Sequence, residues 1–88
     1  MDLIYPKPNS KVFIPYELDG SAGSTLFEAA HQNPSATIFW HIDGKFLAAT
    51  HKLHKLSLHP EYGNHTLLLV DDAGESLSRP FSAISTKK

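Results

Sequence analysis

The chemistry-bearing side chains are six histidines, nine carboxylates and a terminal serine-lysine run, in a chain of 88 residues without cysteine. No two of His31, His41, His51, His54, His59 and His65 have the i, i+4 spacing of a helical zinc pair. On a strand, His51 and His54 would point to opposite faces. They are read, with His59, as exposed polar side chains, and no metal is expected. The absence of cysteine removes thiolate nucleophiles and cysteine-containing zinc sites. Ser85-Thr86-Lys87-Lys88 fits the Ser-x-x-Lys pattern of acyl-transfer active sites. There, however, the serine opens a buried helix, its lysine one turn on, with Ser-Asp-Asn and Lys-Thr-Gly motifs across a cleft. Neither motif occurs here, and the run lies in a solvated tail. Asp71-Asp72 begins like a calcium loop, but Ala73-Gly74 and the lack of a suitably placed bidentate glutamate make it a turn. With no Ser-His-Asp order, phosphate loop or isolated carboxylate pair, the chain is read as non-catalytic and without a cofactor.

Charge excludes further classes. Eight basic against nine acidic side chains give a net charge of -1, so no global field gathers nucleic acid or anionic lipid. No stretch approaches the roughly 20 apolar residues of a membrane helix, and no basic region followed by an apolar run marks a signal peptide. A chain this short forms one domain and buries only about 60 to 65% of its unfolded surface, leaving a thin stability margin.

The element that would position any site is a hairpin. Ile38-Phe39-Trp40-His41-Ile42 and Lys45-Phe46-Leu47 flank Asp43-Gly44, a pair that tolerates the positive φ angles of a type I′ turn. A two-residue turn sets Ile42 opposite Lys45, His41 opposite Phe46 and Trp40 opposite Leu47. Ile38, Trp40, Ile42 and Leu47 then form one apolar face. The other face carries Phe39, His41 and Phe46, which is not the polar surface expected of a strand pair covered on one side.

Elsewhere the strands are short. Leu3-Ile4-Tyr5 and Val12-Phe13-Ile14 are hemmed by Pro6, Pro8 and Pro15, and proline confines both to sheet edges. Residues 19–24 read as a turn, and residues 25–31 as a strand with Phe27 and Ala29 inward, in preference to a helical turn. The pattern thins from His51 to Lys55 and resumes at Leu56 and Leu58. His65-Thr66-Leu67-Leu68-Leu69-Val70 is the most apolar run, placed at the centre of its sheet. A last strand spans residues 77–84, interrupted by Pro80, with Phe81 and Ala83 inward; residues 86–88 form a tail. Seven or eight short strands with a mid-chain tryptophan indicate an all-β immunoglobulin-like or fibronectin-like sandwich without the antibody-type disulfide. Leu58, Pro60, Gly63 and His65 have the spacing of a loop crossing between sheets, which makes His65 a cap bonding back to that loop.

Three blocks are distinctive together: Ile4-Tyr5-Pro6 with Val12-Phe13-Ile14-Pro15, Ile38-Phe39-Trp40-His41-Ile42-Asp43-Gly44 with Leu47, and Gly63-Asn64-His65-Thr66-Leu67-Leu68-Leu69-Val70-Asp71 with Gly74 and Phe81. In these blocks the chain resembles the C-terminal domain of class A bifunctional penicillin-binding proteins of the 1C kind. Leu58, where an aromatic residue is expected, and residues 51–55 depart from the pattern. The resemblance implies that residues 1–88 are a single domain from the C-terminus of a longer exported protein. It implies a non-catalytic accessory domain of a peptidoglycan synthase, in the periplasm on an inner-membrane-anchored parent. Such a domain would bind its parent's transpeptidase domain, another cell-envelope protein or peptidoglycan glycan.

Phe39, His41 and Phe46 are the candidate interaction residues, since adjacent aromatics on a sheet serve both protein interfaces and glycan platforms. The alternative is a face covered by residues 32–35 or the N-terminal segment, or aromatics exposed in isolation. A sugar platform needs polar side chains aimed at hydroxyls, and only His41, Lys45 and Thr37 are at hand, which favours a protein partner.

Overall fold

The computed structural model describes residues 1–15 and 23–85, so the tail at 86–88 and most of the predicted turn at 19–24 lie outside the described residues. Eight strands follow in order: β1 (Asp2–Tyr5), β2 (Lys11–Ile14), β3 (Thr25–Ala30), β4 (Thr37–Ile42), β5 (Lys45–His51), β6 (Lys55–Leu58), β7 (Gly63–Asp71) and β8 (Ser76–Ser85). They form a three-stranded sheet, β1-β3-β6, facing a five-stranded sheet, β2-β8-β7-β4-β5. Among the described residues there is no helix, and none long and apolar enough to cross a membrane.

Proline punctuation places the first two strands as expected. β1 and β2 each end a different sheet, and Pro6 and Pro8 fall where the chain passes between them. β2 pairs parallel to β8, while the other ladders are antiparallel. β7 is central in its sheet. Pro80 does not interrupt β8. The β2 ladder covers only Ser82 to Ser85 of that strand, so at Pro80 a strand lies on one flank alone and a missing N–H is tolerated.

Alternation fills the space between the sheets. Val12, Ile14, Phe27, Ile38, Trp40, Leu67 and Leu69 are completely buried, with Leu3, Ala29, Leu58, Phe81 and Ala83 around them. Phe27 meets Phe81 edge-on at 5.3 Å across the sandwich. Phe27 and Ala29 point inward, as alternation predicts for a strand at this position.

The hairpin departs from a simple two-residue register at one point. Asp43 and Gly44 have φ of 50° and 82°, the type I′ signature, and Ile42 pairs with Lys45 and His41 with Phe46. The ladder then shifts, and Trp40 pairs with Ala48 instead of Leu47, which is 40% exposed. The extra residue in β5 is a bulge with an identifiable purpose. A one-residue slip exchanges the faces of a strand, so it turns Ala48 and Thr50 inward where Leu47 and Ala49 would otherwise point. Ala48 leaves room for the indole, and Thr50 Oγ1 accepts its N–H at 2.8 Å. An unshifted strand would bury that donor without a partner, at a cost of about 1 to 3 kcal/mol.

Candidate functional site

Strand alternation carries Phe39 and His41 to the outer face of the five-stranded sheet, because Ile38 and Trp40 on either side are wholly buried. Phe39 pairs with Ala49 of β5 and Val70 of β7; His41 pairs with Phe46 and Leu68. The rings of His41 and Phe46 meet edge-on at 5.6 Å. Phe39, His41, Leu68 and Val70 are half-buried, and Phe46 is 59% exposed. The three residues singled out in the sequence therefore share one face and touch an apolar neighbourhood, and among the described residues no loop covers Phe46. Within this patch His41 Nδ1 is buried without a hydrogen-bond partner among the described residues. Lys45 is not part of it: its pairing with Ile42 sends it to the opposite side of the hairpin.

Toward the hairpin turn the same face becomes polar. A shallow cleft of about 510 Å³ is lined by Asn9, Lys11, Asn64, Thr66, Pro80 and Ser82 among others. Ser82 donates to Asn64 Oδ1 at 2.7 Å, while Ser10 Oγ is buried without a partner among the described residues. Residues so far apart in sequence gave no sign of meeting; only the parallel pairing of β2 with β8 brings Lys11 beside Ser82.

Asp43 and His65 border this cleft. His65 Nε2 donates to the Glu61 carbonyl at 2.6 Å, the cap back to the loop that its spacing predicts. Its Nδ1 lies 2.6 Å from Asp43 Oδ2, a contact the sequence did not reveal. Asp43 Oδ1 also accepts the Thr66 N–H. Burial opposes the imidazolium, but hydrogen bonds to Asp43 and Glu61 outweigh it and raise the His65 pKa. The Asp43 carboxyl is held below its usual range, first by the His65 hydrogen bond and then by the Thr66 N–H.

Of the remaining histidines, His51 and His59 are exposed, as their spacing suggests, while His54 and His31 are structural. His54 is buried, contrary to its reading as an exposed side chain, because the β5–β6 loop folds inward and its carbonyl accepts the Ala29 N–H. Thr50 Oγ1, already an acceptor for Trp40, donates to His54 Nδ1 at 2.7 Å. Burial lowers the His54 pKa, reinforced by His31 and His51. His31 Nδ1 accepts the Asn33 N–H, so its Nε2 donates to Asp71 at 2.8 Å. Asp71 in turn caps the Ala73 and Glu75 N–H groups, which makes 71–74 a tied turn. Among the described residues, no group of three or more histidine, aspartate or glutamate side chains is placed to hold a metal.

Residues 1–81 match the Penicillin-Binding Protein C-terminus family. No curated protein matches. Among solved structures, the fibronectin(III)-like modules of CbhA from Clostridium thermocellum superpose with a TM-score of 0.66 at 14% identity, covering 98% of each chain. That likeness establishes the fold.

Proposed function

The chain belongs to the Penicillin-Binding Protein C-terminus family, an accessory domain with a fibronectin-like fold, and from that premise we propose that it docks a protein partner. The partner is the transpeptidase domain of its own parent or another cell-envelope protein, met in the periplasm, and the domain performs no catalysis. The observation that carries this reading is the patch on the outer face of the five-stranded sheet formed by exposed Phe46 and half-buried Phe39 and His41, backed by Leu68 and Val70. Aromatic clusters of this kind anchor interfaces.

A second reading, glycan binding, is favoured by the polar cleft continuing the same face, where Asn64, Thr66 and Ser82 offer groups for sugar hydroxyls. Retention of the domain on insoluble peptidoglycan and on a parent polypeptide truncated before it separates the two. Salt-resistant retention on peptidoglycan, with none on the polypeptide, would overturn the docking reading. Acylation by a labelled β-lactam would overturn its non-catalytic character.

A further inference from the structure

β5 and β6 end their respective sheets and are consecutive in the chain, so they form one side of the sandwich. Residues 44–60, which contain both, hold Lys45, Lys52 and Lys55 and not one aspartate or glutamate. Since the chain as a whole is slightly acidic, this side is a local cationic exception. Lys55 lies opposite Glu28 in the β3–β6 ladder, while Lys45 and Lys52 make no ion pair among the described residues. The same side exposes Phe46, Leu47 and Leu53. A groove of about 400 Å³ runs here, its apolar wall made by Ile42, Leu47, Leu58 and Pro60, with Lys45 at its margin. Of the two acids that also line it, Asp43 is hydrogen-bonded to His65 and feels Lys45 only as the weakest of its charge interactions, and Glu61 is the other counter-charge.

We propose that β5 accepts an added strand from the partner: an extended segment with alternating apolar residues, flanked by carboxylates. This rests on the docking reading and names its mode. An edge strand has a row of backbone N–H and C=O groups free to pair, and added strands take their affinity from that ladder and their specificity from alternate side chains. Alternate apolar side chains of the added strand fill the groove beside Leu47 and Leu58, and its carboxylates meet Lys45 and Lys52. A second copy of this chain is disfavoured as occupant. Antiparallel self-pairing about Ala48 would set Lys45 of each copy against His51 and Lys52 of the other.

The test uses a capped heptapeptide of alternating valine and threonine with a glutamate at each end, a lysine-ended counterpart and a backbone N-methylated form. The glutamate-ended peptide is expected to slow amide exchange across residues 45–51 by about tenfold or more at saturation. The N-methylated form gives no protection, and Lys45→Glu/Lys52→Glu exchanges the preference to the lysine-ended peptide. Equal binding of both charged peptides, or protection elsewhere only, overturns strand addition. Retention of the truncated parent polypeptide keeps the two ideas apart. Loss in Phe39→Ser but not in Lys45→Glu/Lys52→Glu leaves docking standing and removes strand addition; loss in neither removes both.

Discussion

Asp43 Oδ2 and His65 Nδ1 stand 2.6 Å apart, joining the β4–β5 turn to the start of β7 across 22 residues of sequence. The other ring nitrogen faces the Glu61 carbonyl. Both nitrogens thus meet acceptors, and only the doubly protonated ring satisfies both.

The pair confers a pH window. His65 has a raised folded pKa, so its contribution is full below the ordinary histidine value and is lost as pH rises through the raised one. Asp43 has a depressed pKa, so its contribution is full above the ordinary aspartate value and is lost as pH falls through the depressed one. Asp43→Asn keeps a residue suited to positive φ but removes the charge. It is expected to cost about 1 kcal/mol near pH 5.5, the modest value reflecting a carboxylate open to solvent. Denaturant melts of both proteins should show that gap closing as pH rises to 9; a constant gap would mean that the turn, not the ion pair, carries the effect.

His54 acts in the opposite sense. Burial depresses its pKa, so the unfolded chain takes up the proton first and stability declines as pH falls below the ordinary histidine value. Replacing it with glutamine removes that proton uptake. The stability gap between wild type and His54→Gln should therefore narrow between pH 7.5 and 5.5, measured in the same melts. A gap that widens on acidification would show that His54 gains an acidic partner when charged.

The two histidines also mark what was legible in the chain. The I′ turn was readable at Asp43-Gly44, because few residue pairs tolerate two positive φ angles, and the His65 cap was readable because its acceptor lies four residues away. Phe39, His41 and Phe46 could be assigned to one face from alternation alone. The bulge could not, since it answers to the hydrogen-bond demand of a buried indole and not to any feature of Leu47 itself. Residues 51–55 looked solvated for want of apolar pattern, yet His54 turns inward because Thr50 and the Ala29 N–H supply its partners. The polar cleft depends on a parallel pairing between the second and last strands, which no local pattern encodes.

Trp40, Thr50 and His54 form one hydrogen-bonded chain, so their variants should be non-additive. Trp40→Ala empties the largest side chain of the core and is expected to cost about 3 to 5 kcal/mol, close to the whole margin of a small domain. Thr50→Val strands the indole donor and the His54 acceptor, at about 1 to 3 kcal/mol, with little change in volume. Blue-shifted Trp40 emission should accompany the native state. If Thr50→Val costs nothing, the bulge has another cause.

The interface claim is sharpest where stability and binding separate. Phe46 is 59% exposed, so Phe46→Ser should shift stability by no more than about 0.5 kcal/mol. Phe39 is half-buried between Ala49 and Val70, and Phe39→Ser should cost more, though less than the core deletion at Trp40. Binding to the truncated parent polypeptide should nevertheless weaken about 30-fold or more in each variant, the equivalent of roughly 2 kcal/mol for a buried aromatic anchor. Calorimetry on both variants, with circular dichroism as the check on folding, reads the two quantities side by side. Folded variants that bind as wild type does would take the outer sheet face out of the interface. An unfolded Phe39→Ser beside a folded, fully binding Phe46→Ser would assign Phe39 to the stability of the sheet and remove Phe46 from the docking surface.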